Sequence, residues 1–251
     1  MCGVAGFLVP GRAATDSREL LTSMTDAIAH RGPDGSGHFI EGPVALGMRR
    51  LAVIDLDTGG QPVANEDGRF TLVFNGEIYN YRELREQLVA QGHTFRSASD
   101  TEVIVHLYEE HGTGAFAKLD GMFAIALWDR DQNELVLARD RFGKKPLFHS
   151  VTDDGMFMFG SEMKSLFTNT SMSRKVDTEQ LAHFLVHDCV PSPRSLLCGV
   201  NKLDGGHFLV VDGTTGAQRI ERYWQLTYAK SATQPSYADA QVELRERLIQ
   251  S

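Results

Sequence analysis

The sequence predicts a layered α+β fold in which stacked antiparallel sheets are covered by amphipathic helices. Strand-like and helix-like runs alternate over most of the 251 residues. Two pairs of strand-like runs in the middle of the chain are separated by short polar turns, which is typical of hairpins. Hairpins favour antiparallel sheets, and the apolar faces of amphipathic helices must be buried against such sheets.

The first part of the chain predicts three strands and one helix. The apolar run 3–9 predicts a strand that ends at a Pro-Gly pair, and 16–30 predicts a helix because apolar residues recur every four positions. Residues 30–37 are rich in Gly and Pro and predict a loop. The apolar runs 44–55 and 70–75 predict two further strands.

The remaining elements follow the same rules. Helices are predicted over 80–92, 99–112, 177–187 and 237–251 from their apolar periodicity. Strands are predicted over 121–129, 134–140, 147–151, 156–160, 206–212 and 219–224. Four helix starts carry residue pairs at the spacing of a capping box, namely Asp16/Glu19, Asn80/Glu83, Ser99/Glu102 and Asp177/Gln180.

Composition and charge exclude several classes of function. The net charge is −8 and no Lys/Arg-rich run is present, which argues against nucleic acid and anionic membranes as main partners. No apolar stretch approaches about 20 residues, and no signal peptide is recognisable. The three cysteines form no Cys/His cluster with zinc spacing, so the sequence predicts reduced thiols, a cytoplasmic location and no metal site.

The cysteine at position two is the first candidate catalytic residue. Chain ends are frayed, so a buried core thiol is least expected there. Removal of Met1 would make Cys2 the first residue and give it a free α-amine, which ordinarily has a pKa of about 7.7–8.0. Nucleophile and base would then belong to one residue. An accidental cysteine in a tail is the alternative.

Eight motifs carry a resemblance to a known family. In chain order they are MCG, RGPDGSG, RRLAVIDL, FNGEIYNY, SDTEV, LDGMFAIALWD, RDRFGKKPLF and GSEMKSL. Together they resemble the N-terminal glutaminase domain, a class II glutamine amidotransferase domain, of glutamine-hydrolysing asparagine synthetases. The resemblance runs from Cys2 to about Trp224. It implies a four-layer α/β/β/α sandwich with two antiparallel sheets, of the N-terminal-nucleophile hydrolase type.

The resemblance implies a catalytic set that suits amide hydrolysis. Attack on an amide carbonyl needs a nucleophile, a proton shuttle and donors for the developing oxyanion. Cys2 is the implied nucleophile, acting as a thiolate. The side-chain amide of Asn75 and the backbone N–H of Gly76 are the implied oxyanion donors. The alternative for Asn-Gly is a hairpin turn, but the helix-like run that follows argues against it.

The resemblance also implies the residues that bind the amino-acid end of glutamine. Arg50 matches the arginine that binds the α-carboxylate, and a guanidinium can hold a carboxylate bidentately. Asp100 is expected to receive the α-ammonium group, with Glu77 as a helper. Val53 and Ile54 are expected to line the pocket. A helix N-terminus also favours an acidic residue at Asp100, and both explanations can hold.

Four neighbouring residues are assigned supporting roles or none. Arg49 precedes Arg50, and strand alternation points the two side chains to opposite faces, so Arg49 is expected at the surface. Arg31 and Asp34 are expected to form an internal ion pair near the nucleophile. His30 lies beside them, and a Cys–His mechanism is the less favoured alternative.

The expected organisation is a glutaminase domain over 2–227, followed by a linker and the first helix of a truncated synthetase domain over 228–251. The family's synthetase half contains an SGGxDS loop, and no such loop occurs here. The chain is therefore expected to be a fragment that needs no cofactor itself, while ATP and magnesium serve the missing domain. Glutamine and the C-terminal synthetase domain are the expected partners, and a homodimer is left open.

Three functions compete at this level. The first is hydrolysis of glutamine to supply ammonia for ATP-dependent amidation, with aspartate as the implied acceptor or another carboxylate as the alternative. The second is a non-catalytic domain kept for assembly. The third is a hydrolase of the same fold acting on another amide. The presence of both Arg50 and Asp100, which would recognise the two charges of a free amino acid, favours the first.

Overall fold

The computed structural model describes residues 2–14, 17–52, 55, 58–228 and 235–250. Twelve strands are present in these ranges: β1 Gly3–Leu8, β2 Gly35–Glu41, β3 Val44–Arg50, β4 Val63–Ala64, β5 Phe70–Ile78, β6 Gly121–Asp129, β7 Glu134–Arg139, β8 Phe148–Val151, β9 Phe157–Gly160, β10 Val200–Lys202, β11 His207–Asp212 and β12 Gln218–Arg222. The α-helices are α1 Arg18–Asp26, α2 Tyr81–Ala90, α3 Asp100–His111, α4 Ala115–Lys118, α5 Met163–Leu166, α6 Thr178–His187 and α7 Tyr237–Gln250.

The strands form two six-stranded antiparallel sheets. The order in the first sheet is β10-β8-β9-β1-β3-β2, and in the second it is β12-β11-β7-β6-β5-β4. In the first sheet Val4 pairs with Met48, and in the second Asn75 pairs with Ala124. Strands β1 and β5 therefore lie in different sheets; β1 begins directly after Cys2, and β5 contains Asn75 and Gly76.

Side-chain alternation along the strands builds a four-layer stack. Val4 and Leu8 of β1 pack with Val73 of β5 in the apolar core between the two sheets. Ala5 and Phe7 of β1 face the other way, into a core shared with α1 and α5. The opposite face of β5 packs against α2 and α3 in a third core. The predicted α/β/β/α sandwich is confirmed.

Most predicted elements are confirmed, but strand β2 was not predicted and another strand ends earlier than predicted. The structure begins β2 at Gly35, inside the segment predicted as a loop. Pairing with β3 compensates for the poor strand propensity of its glycines, and Gly37 fits against Gln61, whose carbonyl oxygen would lie 1.9 Å from an added Cβ. The strand predicted over 44–55 ends at Arg50.

The predicted capping boxes are only partly present. Ser99 caps α3 by accepting the Thr101 N–H, and Asp177 caps α6. Asn80 precedes α2 but makes no capping hydrogen bond, because its side chain bridges to the loop before β6 through Lys118 and Asp120. Glu102, the predicted capping-box partner of Ser99, instead accepts the backbone N–H groups of Arg96 and Ser97. Asp16 lies outside the described residues.

Within the described ranges, no helix is both long and apolar enough to cross a membrane.

Candidate active site

A cavity of about 350 Å³ opens at one end of the gap between the two sheets. Cys2, Arg50 and Asn75 all line it, although they come from distant parts of the sequence. Strand alternation explains why they meet. Cys2 shares a face with Val4, Arg50 with Met48, and Asn75 with Val73, and all of these apolar neighbours face the core between the sheets.

Cys2 is held at the mouth of this gap by the chain that follows β3. The Leu51 N–H donates to Cys2 Sγ at 3.3 Å, and the thiol lies 3.5 Å from the Leu51 carbonyl oxygen. Arg31 Nε donates to the Cys2 carbonyl oxygen at 3.0 Å. These contacts fix the thiol in a half-buried position that a substrate in the cavity can reach.

Asn75 brings an unsatisfied hydrogen-bond donor into the same cavity. The residue is 1% exposed, and its Nδ2 has no hydrogen-bond partner in the described part of the chain. A buried donor without a partner carries a desolvation cost of about 1–3 kcal/mol. Such a cost at a cavity wall is typical of a group whose partner is a ligand.

Gly76 points its backbone toward the cavity from the edge of β5. Phe74 donates its N–H to Gln61 Oε1 at 2.7 Å, and Ile78 donates its N–H to Asp100 Oδ2 at 2.9 Å. Alternate N–H groups of a strand point to the same edge, so the Gly76 N–H faces the gap between these two acceptors. Only glycine fits here, because an added Cβ would lie 2.1 Å from the Met122 carbonyl oxygen.

The two adjacent arginines are separated by the pleat of β3. Arg50 lines the cavity and its guanidinium donates to the Asp55 carbonyl oxygen. Arg49 points to the opposite face, where it pairs with Asp26 and donates to the Thr25 carbonyl oxygen at 3.2 Å. The prediction that the two arginine side chains point to opposite faces of β3 is confirmed, and Arg49 also binds α1 through these contacts.

A buried carboxylate also lines this cavity. Asp100 opens α3, is 5% exposed and lines the cavity together with Glu77. Burial raises the pKa of Asp100, although the Ile78 N–H and the Ser99 hydroxyl oppose this. Burying the charged form of this carboxylate is costly, and a cationic group in the cavity would offset that cost.

Other cavity residues were not singled out by the sequence. Gln61, Thr101 and Lys145 also line the cavity, and Gln61 Nε2 contacts the Thr101 hydroxyl at 3.4 Å. Gln61 precedes β4 in a polar loop without any motif, so no local signal marks it. Val53 and Ile54 lie outside the described residues.

The predicted ion pair between Arg31 and Asp34 is wrong. Arg31 pairs with Glu162 at 3.0 Å, and Asp34 accepts the Ala52 N–H at 2.9 Å. His30 also binds Glu162, at 2.9 Å. The two RGPD side chains thus support the cavity from separate sides, one behind Cys2 and one behind the chain after β3. Among the described residues that line the cavity, none is a histidine.

Two antiparallel sheets between helical layers fit the N-terminal-nucleophile type of hydrolase fold, here with Cys2 at the end of the gap between the sheets. Solved structures show the same fold. The allosteric regulatory enzyme of purine biosynthesis superposes with a TM-score of 0.66 at 20% identity, covering 90% of this chain and 50% of that one. A glutamine phosphoribosylpyrophosphate amidotransferase from B. subtilis superposes with a TM-score of 0.63 at 19% identity and the same coverage.

The chain belongs to the glutamine amidotransferase domain family, whose model matches residues 1–224. It is 40% identical over 235 residues to asparagine synthetase [glutamine-hydrolyzing] 2 of Bacillus subtilis, covering 90% of this chain and 31% of that protein. It is 42% identical over 208 residues to asparagine synthetase [glutamine-hydrolyzing] 1 of the same organism, covering 82% and 33%. The chain thus spans about a third of the length of these relatives.

Proposed function

We propose that this chain hydrolyses glutamine to glutamate and ammonia, with Cys2 as the nucleophile. The observation that carries the proposal is the convergence of the Cys2 thiol and the unpartnered Asn75 amide on one cavity. A nucleophile beside a buried donor is the arrangement that acyl transfer requires. Membership of the amidotransferase family supports glutamine as the amide.

Binding of the free amino acid uses charges of both signs. Arg50 pairs with the α-carboxylate, because a guanidinium can donate two parallel hydrogen bonds to it. The Asp100 carboxylate receives the α-ammonium group, and Glu77 adds negative charge beside it. The ion pair formed with bound glutamine therefore offsets part of the desolvation cost of burying the Asp100 carboxylate. An amide that lacks these two charges would form neither of these two ion pairs.

The chemical step is an acyl transfer through a thioester. Cys2 Sγ attacks the side-chain amide carbon of glutamine, and the carbonyl oxygen takes up negative charge. The Asn75 Nδ2 group and the Gly76 N–H stabilise this oxyanion. When the C–N bond breaks, the departing nitrogen takes a proton and leaves as ammonia. Water then attacks the glutamyl thioester, which releases glutamate and restores the thiol.

The proton shuttle is the α-amine of Cys2 once Met1 has been removed. The neutral amine takes the thiol proton and passes it to the departing nitrogen. No histidine is needed in this scheme, in agreement with the partners of His30, which bonds to Glu162.

In the whole protein we propose that the ammonia amidates a carboxylate acceptor in a C-terminal synthetase domain. The names of the curated relatives favour aspartate, and another carboxylate is the alternative. ATP and magnesium belong to that domain. The glutaminase domain is proposed to span 2–227 and the segment 228–251 to lead into the synthetase domain. Cytoplasmic location and a homodimer stay predictions, which fractionation and light scattering test.

The purified chain tests the proposal directly. With glutamine and no ATP it should release glutamate and ammonia in equal amounts, and a neutral amide such as propionamide should not be hydrolysed. Cys2→Ala should abolish the activity, whereas Cys189→Ala, at an exposed cysteine, should keep it. Equal turnover of glutamine and propionamide would contradict the roles given to Arg50 and Asp100.

A further inference from the structure

Four side chains of the types that can ligate a metal lie together beside the second half of α3. Glu66 comes from the turn between β4 and β5, His93 from the loop before α3, and His106 and Glu109 from α3 itself. One donor atom from each residue lies within 4.8 Å of all the others. No local sequence pattern reveals this cluster, because its donors come from three separate segments of the chain.

Both imidazole rings present the same nitrogen to the centre of the cluster. His106 Nδ1 lies 3.2 Å from Glu66 Oε2, and His93 Nδ1 lies 3.5 Å from Glu66 Oε1 and 3.9 Å from Glu109 Oε2. Tetrahedral zinc has ligand distances of about 2.0–2.2 Å, which places its donor atoms about 3.3–3.6 Å apart. These three separations lie close to this range, and all four donor atoms lie within 4.8 Å of one another.

The opposite nitrogen of each ring faces an outer carboxylate. His93 Nε2 lies 3.0 Å from Glu110 Oε1, and His106 Nε2 lies 3.7 Å from Glu102 Oε1. An imidazole that ligates a metal usually donates its other N–H to a carboxylate, which fixes the ring and leaves the inner nitrogen as a ligand. His93 has this arrangement, while His106 Nε2 lies near the Glu102 carboxylate but beyond hydrogen-bond distance.

The inner carboxylates are also positioned by neighbours. The Thr94 N–H donates to Glu66 Oε1 at 2.7 Å, and Asn65 Nδ2 donates to Glu109 Oε2 at 3.0 Å. These bonds hold the carboxylates beside the imidazoles while leaving lone pairs for a further ligand.

His106 carries the strongest signal of a missing partner. Its side chain is 1% exposed, and neither ring nitrogen makes a hydrogen bond within the described chain. A buried polar group without a partner is costly and rare. A cation bound at Nδ1 would satisfy one of these nitrogens and strengthen the contact of the other with Glu102.

We propose that Glu66, His93, His106 and Glu109 bind one zinc ion or a similar divalent transition metal. Two imidazole nitrogens and two carboxylate oxygens form a donor set that suits zinc. The ion would tie the β4–β5 turn and the loop before α3 to the body of α3. Because α3 opens with Asp100, the site would stabilise the helix that carries the proposed ammonium-binding residue.

The test uses the full chain in a Cys2→Ala background, so that the catalytic thiol cannot bind metal. After treatment with a chelator, titration with Zn²⁺ alone should show one ion bound per chain and a raised melting temperature. Co²⁺ should give the absorption of a tetrahedral site without a sulfur-to-metal band. His93→Ala and Glu109→Gln, at a largely buried imidazole and an exposed carboxylate, should each weaken the affinity at least about 10-fold.

The matched control is an exposed histidine pair on α6. His183 and His187 stack one helical turn apart, and neither forms an ion pair with a carboxylate in the described part of the chain. A variant with both changed to alanine should keep the zinc affinity. Loss of binding in that variant, unchanged affinity in both His93→Ala and Glu109→Gln, or no zinc binding at all would overturn the proposal.

Discussion

Replacing Asn75 by alanine should lower kcat for glutamine hydrolysis about 10²–10³-fold while changing KM much less. The proposed Asn75 hydrogen bond strengthens as negative charge develops on the substrate oxygen. Its loss therefore raises the energy of the transition state more than that of bound glutamine.

The magnitude follows from the surroundings of the Asn75 side chain. The residue is 1% exposed and its Nδ2 has no partner to give up, so the whole hydrogen bond is available to the oxyanion. Removal of one such preorganised donor costs about 2.7–4 kcal/mol of barrier. The fold should lose little, because no hydrogen bond of Nδ2 is broken by the substitution.

Steady-state release of glutamate over a range of glutamine concentrations measures both constants. Thr71→Ala is the matched control, because Thr71 lies on the same face of β5, is 4% exposed and is not among the cavity-lining residues. Its kcat should stay close to the wild-type value. A rise in KM alone for Asn75→Ala would refute the oxyanion assignment.

Three further predictions concern binding, stability and the chain end. Arg50→Ala should raise KM with little change in kcat, since the α-carboxylate is held in both ground and transition states; an effect on kcat alone would contradict this. Asp100→Asn should raise KM but also raise the free energy of unfolding at pH 7. Burial raises the pKa of Asp100, so the cost of burying its negative charge appears only as the pH rises through that pKa. In urea unfolding experiments, the stability gained by Asp100→Asn should therefore disappear at acidic pH. Deleting 229–251 should leave kcat/KM for glutamine nearly unchanged, and a large loss would place part of the site in that segment.

Local sequence patterns were sufficient for most of the secondary structure. The hairpin of β6 and β7 depends on two apolar runs and the polar turn between them, all within 19 residues from Gly121 to Arg139. The opposite directions of Arg49 and Arg50 follow from strand alternation alone. The motifs also located Cys2, Asn75 and Asp100, which the fold brings to one cavity.

Contacts between distant segments could not be predicted in this way. Arg31 forms its ion pair with Glu162, which is 131 positions away in the sequence, and not with its near neighbour Asp34. Gln61 joins the cavity because its side chain accepts the Phe74 N–H, a contact without a sequence signature. Asn80 has the residue type and spacing of a helix cap, yet tertiary hydrogen bonds use its side chain instead.

The central claim is that the Cys2 thiol attacks glutamine. Rapid quenching of the processed chain during turnover, followed by intact-mass and peptide analysis, tests it most directly. A glutamyl adduct should appear on an N-terminal peptide that begins at Cys2 and lacks Met1, and Cys2→Ala should form neither adduct nor ammonia while still binding glutamine. Glutamine hydrolysis that persists in Cys2→Ala, or an adduct on another residue, would contradict the account.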